Sequence, residues 1–325
     1  MRHTRDVILL VGLLTAVTAV VAAQQPAVGA MYVDDQQRER GLAPSFAMVE
    51  LPPAAGAPTA RVYLSAGDLE RAFDTARFRP HAAIVPTNIE LSLTAASPAT
   101  QRVLLDRVGK RPEVMRDLED QAATRRRQMP ASADGKSATL QIGTDTFVAQ
   151  LPRTGPDKAG TFPRSVCMIA TDFADGRAVD RRDLFTQDRM RKGIADCLSA
   201  LDRAGTETVM MPLLGASSSE AQSKDPIFEG QRLLKECRLI NSVAGIALGI
   251  HDFAPARRAM REIGIVQWNK EISDMFDLPK ASKIAQASYQ LYSEQVAAAW
   301  RKGLKGEKTA PGDVGGNCAL TFSGQ

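Results

Sequence analysis

The stretch that most limits what this chain can fold into is Thr206 to Ser219, TETVMMPLLGASSS. An apolar run from Val209 to Leu214 lies between Gly205 and the small residues Gly215-Ala216-Ser217-Ser218-Ser219. An apolar run that short, bounded by turn residues, reads as a buried strand opening into a loop. Small residues at a strand's carboxyl end let a backbone approach a ligand closely, and N–H groups exposed there suit an anion. The plainer reading is an ordinary strand followed by a polar surface loop. Its neighbours decide between the two.

Upstream, Arg189 to Ala204 carries Met190, Ile194, Cys197 or Leu198, and Leu201 at helical spacing, with Gly205 as the stop. Before that helix, Val166 to Ala170 reads as a strand. A strand, a crossover helix and a second strand imply two parallel strands in one sheet. Downstream, a helix is expected from Asp225 or Pro226 to about Leu239. A further buried strand is expected at Ser242 to Ile250, followed by His251-Asp252-Phe253. The fold class is α/β, with a mostly parallel central sheet.

The amino-terminal half adds strands at Ala60 to Ala66 and His81 to Asn88, where Pro86 is expected at the strand's end because it cannot donate to a ladder. Phe46 to Leu51 reads as a short extended piece. Helices are expected at Glu70 to Ala76, Pro98 to Val108 and Pro112 to Arg127, the last ending in the solvated run Arg125-Arg126-Arg127. Ala138 to Leu151 reads as a hairpin turning at Gly143-Thr144-Asp145. Two more helices, Arg257 to Phe276 and Ser282 to Lys302, form a carboxyl-terminal helical extension. In the second of these, Tyr289, Tyr292, Val296 and Trp300 make a packing stripe.

At the amino end, Arg2 and Arg5 precede an uncharged run from Val7 to Ala23 that closes on small residues. That is the plan of a signal peptide, and it predicts a periplasmic or secreted protein. Membrane attachment is expected only if this segment stays uncleaved. The organisation read from the chain is signal peptide 1–23, linker arm 24–59, central domain 60–255, helical extension 256–304 and flexible tail 305–325. A net charge of +4, with no basic cluster interleaved with aromatics, gives no footprint for nucleic acid. The Walker pattern and GxGxxG are both absent. Four cysteines at wide spacing and three histidines supply no metal motif, so neither metal nor cofactor is expected. Cys167, Cys197 and Cys237 read as small core hydrophobes, with the pairing of any two left open.

In an open α/β sheet, ligands bind outside the carboxyl ends of the strands. Gly67-Asp68, Thr87-Asn88, Gly215 to Ser219 and His251-Asp252-Phe253 all fall at such ends in this reading. YLSAGDL followed by AAIVPTN-IEL resembles the opening of the macro domain, a strand running into GDI and then AIVNAAN. VMMPLLGASSS resembles its second phosphate loop, PALGTG. The resemblance covers Ala60 to Pro255 and implies a three-layer α/β fold with a site for ADP-ribose or a related nucleotide. In it Asp68 contacts adenine, Asn88 the distal ribose, and Gly215, Ala216, Ser217 and Ser218 the diphosphate, while Phe253 stacks on a ring. The sequence departs from the family at Leu91 to Ser97, LSLTAAS, where the family has a Gly-rich loop. A binding module is therefore expected before an ADP-ribosyl hydrolase, with a non-catalytic scaffold as the other alternative. The carboxyl-terminal helices are the expected seat of any protein partner.

Overall fold

A computed structural model describes residues 45–54, 56–66, 81–93, 112–129, 140–141, 143–151, 163–172, 187–214, 228–267 and 298–310. The signal segment and the helices expected at Glu70 to Ala76 and Pro98 to Val108 lie outside these residues. Among these residues, seven strands form one sheet: β1 (Ser45–Leu51), β2 (Ala60–Ala66), β3 (Ala82–Asn88), β4 (Thr146–Gln150), β5 (Ser165–Asp172), β6 (Thr208–Pro212) and β7 (Glu262–Gln267). Their order is β1-β2-β7-β6-β3-β5-β4. The five inner strands are mutually parallel and the two outer ones run antiparallel to them.

The sheet is buried on both faces, and β3 shows how. Ala82 and Ile84 enter one core with Cys167, Ile169, Val209 and Ile263. Ala83 and Val85 enter the other with Tyr63, Val166, Met168 and Met210. The second core is roofed by α1 (Pro112–Gln128), which starts on a proline, carries Glu113 in its first turn and ends on three arginines. Its Val114, Leu118 and Ala122 face the sheet at a spacing of four. The first core is roofed by α2 (Gln187–Arg203) and α3 (Phe228–Phe253), with the helical residues 298–304, α4, bringing the fully buried Trp300 against them. The three-layer α/β expectation holds.

Several expectations fail, the first of them in α3. Ser242 to Ile250 is not a strand but the carboxyl half of α3. Every residue in it is buried, so no polar face betrays the helical period, and a continuous apolar run cannot be told from a buried strand. Its glycines instead carry the helix contacts. A Cβ on Gly249 would lie 2.7 Å from the Arg191 carbonyl oxygen of α2, and one on Gly245 2.7 Å from Met190 Cβ. On another side of α3, a Cβ on Gly303 of α4 would come within 2.5 Å of Ala247 Cβ.

The third strand of the β-α-β-α-β run is β7, inside the segment read as a helix from Arg257. Its Gly264 pairs with Tyr63 on one side and Met210 on the other. The Tyr63 ring arches over it, its hydroxyl 3.5 Å from Met210 Sδ, and a Cβ on Gly264 would meet that hydroxyl oxygen at 2.6 Å. The expected hairpin is also replaced: the turn at Gly143 (φ 73°) is present, but β4 pairs with β5, while the Leu140 N–H donates to the Ile89 carbonyl.

Side-chain bonds lock the helices to one another and to the chain beyond α4. Arg191 of α2 and Asp252 of α3 form a two-pronged pair at 2.5 and 2.7 Å. Gln187 holds both main-chain groups of Thr309 at 2.9 and 3.1 Å, docking residues 307–310 on the start of α2. The Arg191 hydrogen bond, above all, holds the Asp252 carboxyl below its ordinary range. A depressed carboxyl stabilises the fold at pH above its unfolded value and ceases to do so as pH falls through its folded value. Asp252→Asn should thus lower stability at neutral pH, by at most about 1 kcal/mol for so exposed a pair. The gap to the parent should close in strong acid. Urea unfolding at both pH values measures it, and a gap that persists in acid sinks the assignment.

Candidate functional site

All five inner strands point their carboxyl ends to one edge, and β3 and β6 separate there. They pair only at Ala82 with Val209 and Ala83 with Met210, and then the ladder stops. Pro86 lies within β3, opposite Ile169, rather than at the strand's end. The physical reason is the direction in which its donor would point. The His81 carbonyl accepts from the N–H groups of Arg164 and Ser165, so odd-numbered residues of β3 address β5. Pro86 therefore faces the β6 side, beyond the last paired residue, where no ladder bond is lost. The parting of two parallel strands at their carboxyl ends is the place where α/β sheets hold ligands.

Asn88 ends β3 at this parting, fully buried, next to a register slip against β5. Its side-chain oxygen accepts from the Ser92 N–H at 2.8 Å and its amide donates to the Ser92 carbonyl at 3.1 Å. Both ends of the amide thus brace the loop 88–92. Leu91 within that loop has φ 52°, a left-handed conformation uncommon for a residue with a side chain. It is held by complete burial in the α1-side core and by Arg126, whose guanidinium donates to the Leu91 carbonyl at 3.0 Å. Such backbone strain concentrates at functional loops.

On the other side of the parting, β6 runs into Leu213 and Leu214, both buried. The Ser242 hydroxyl of α3 donates to the Leu214 carbonyl, fixing the chain as it leaves β6. Asp68, Gly215, Ala216, Ser217 and Ser218 lie outside the described residues. The strands that lead to them end at Ala66 and Pro212, on the same edge of the sheet as Asn88.

Phe253 requires a correction. It is 2% exposed and part of the hydrophobic core, at the carboxyl end of α3. Because α3 returns from the end of β6 to the start of β7, Phe253 stands at the opposite edge of the sheet from Asn88. The strand expected to deliver it to the cleft is a helix running the other way. Sequence reasoning misses Ser242, Arg126 and the strained Leu91. A lone serine opening an apolar run is the only trace of the first, and the other two leave none. Among the described residues, no group of His, Cys, Asp or Glu is arranged to hold a metal ion.

No protein-family model and no curated protein matches this chain. Among solved structures it is similar to a macrodomain mutant of Oceanobacillus iheyensis, at 12% identity and a TM-score of 0.41, over 80% of this chain and 96% of that one. The Oceanobacillus iheyensis macrodomain with ADP is similar at 10% identity and 0.41, over 80% of this chain and 95% of that one. Thermosipho africanus DarTG in complex with ADP-ribose is similar at 9% identity and 0.35; the alignment spans 78% of this chain and 48% of that one.

Proposed function

We propose that this chain is an exported, divergent macro-like module that binds an ADP-ribose-like nucleotide or another phosphorylated small molecule. The observation that carries the reading is the parting of β3 and β6 at the carboxyl edge. There the strands leading to GDL and to LLGASSS, and the Asn of PTN itself, reach one side of the sheet. In this reading Asp68 takes the base, Gly215 to Ser218 take the diphosphate through main-chain N–H groups, and the strained 88–92 loop forms the wall between them. Export is supported by a buried disulfide, Cys167–Cys197, of a kind that persists in oxidising compartments. Phe253 has no part in the proposal.

A scaffold without ligand is favoured by one observation: one N–H and the oxygen of the Asn88 amide already bond the Ser92 main chain. An Asn so used keeps only its second N–H and a second lone pair for a ribose or a catalytic water. The two readings separate in a thermal-shift panel of ADP-ribose, NAD, AMP and simple phosphosugars. A ligand at about 100 times its dissociation constant adds roughly 2.7 kcal/mol to the folded state. Binding predicts a raised melting temperature with one of these, abolished by Asp68→Ala. A flat response to all four would overturn the nucleotide reading in favour of the scaffold.

A further inference from the structure

The outer strand β4 presents a half-open edge to a groove. In an antiparallel pair, every second residue turns its N–H and C=O toward the neighbour and the others turn theirs away. The Leu151 N–H, just past β4, donates to the Arg164 carbonyl at 2.8 Å. Odd-numbered residues therefore face β5, and Thr146, Val148 and Gln150 face outward. Gln150 is already covered: Gln121 of α1 accepts from its N–H at 3.0 Å and donates to its carbonyl at 2.7 Å. That side-chain amide occupies the place of a peptide unit from a neighbouring strand.

Thr146 and Val148 have no such cover among the described residues. They open on a groove of about 410 Å³ between β4 and α1, whose other lining includes Asp120, Thr124, Arg125 and Gln128. Arg125 Nε is buried with no hydrogen-bond partner among the described residues. A buried donor left unpaired is costly, and a carboxylate is the acceptor it would bond most strongly. The last turn of α1, Arg125 to Arg127, is also uniformly basic.

We infer that this groove takes an extended peptide segment of a partner protein, added to the sheet alongside β4, with an Asp or Glu of the segment set against Arg125. Main-chain bonds to Thr146 and Val148 fix the strand, and the arginine selects among sequences. A second copy of this chain fits less well. Pairing β4 with its own image would bring two Arg125–Arg127 turns together, and like charges across an interface disfavour it.

The test is a displayed library of random nonapeptides selected on the full chain, with the winners resynthesised. They are expected to carry an acid at one fixed position and to slow hydrogen exchange at the Val148 amide. Val148→Pro removes an outward N–H without breaking the ladder to β5, and should weaken binding at least about tenfold. Arg125→Gln should weaken acidic peptides several-fold and leave their Gln-substituted versions unchanged. If Val148→Pro unfolds the chain, Thr146→Pro at the strand's first residue takes its place. The inference is overturned if no peptide is recovered, if winners bind the proline variant equally well, or if the Val148 amide exchanges as before. A concentration-dependent dimer lost on Val148→Pro overturns it in favour of the second copy.

Discussion

Asp202→Ala is expected to destabilise the fold by about 3–5 kcal/mol, because it breaks a buried charged network at the base of the sheet. Asp202, only 4% exposed, ends α2 and accepts three main-chain N–H bonds, from Arg258, Ala259 and Met260, at 2.8 to 2.9 Å. The loop so gripped carries Arg257, fully buried, whose guanidinium donates to the carbonyls of Met260 and Pro52 at 2.7 and 2.8 Å. Burial pushes the Arg257 guanidinium down from its usual value, and the Asp202 charge partly offsets that. Alanine at 202 would leave three donors unmet and a buried cation without its counter-charge. The loop then feeds β7, which lies between β2 and β6, so the damage reaches the middle of the sheet. Urea unfolding measures the loss, and Asp202→Asn, which keeps an acceptor, should fall between the two. A cost below about 1 kcal/mol for the alanine variant would show that the network is dispensable.

The second large effect is expected at the bridge between β5 and α2. Cys167 and Cys197 are fully buried, their Cα atoms 5.8 Å apart and 30 residues apart in sequence. Closing a loop of that length restricts the unfolded chain, and on the loop-entropy account the bridge contributes about 3–4 kcal/mol. Replacing both cysteines with alanine should cost that much together with a smaller packing loss. Reductant should move the parent toward the variant and leave the variant unmoved. Denaturant midpoints with and without reductant provide the measurement. If the thiols of both residues react freely in the denatured, unreduced chain, the bridge is absent and its support for export goes with it.

Particular residues show how much of this is legible in the sequence. β2, β3, β5, α1, α2 and β6 are all readable to within a few residues, because each shows its period or its stops locally. Pro112 opens α1 and three arginines close it; Gly205, with φ 77°, ends α2. Phe46 to Leu51 is legible as extended, but nothing local marks it as β1, an antiparallel partner of β2.

The carboxyl half of α3 and strand β7 are not legible. SVAGIALGI is buried on every side, and the signal that would separate helix from strand is an exposed face that it lacks. EIGIVQ reads as either element until Tyr63 and Met210 close over Gly264. The cysteine pairing is open for the same reason: both residues fit an apolar pattern, and only the seating of α2 on β5 brings their Cα atoms together.

The candidate site divides in the same way. The order of the motifs along the chain, and their place at strand ends, follow from local pattern alone. So does the α/β class, since apolar runs alternating with amphipathic helices leave few other arrangements. Which edge each residue reaches was decided by tertiary structure. Turning one expected strand into the end of α3 carried Phe253 to the far side of the sheet. A single pair of side-chain bonds to the Ser92 main chain committed the Asn88 amide to its own loop. Local sequence sets periods and stops because those depend on neighbours a few residues away. Direction across the sheet, partner choice and burial depend on residues a hundred or more positions distant, as Tyr63 and Met210 are, and those contacts exist only once the chain has folded.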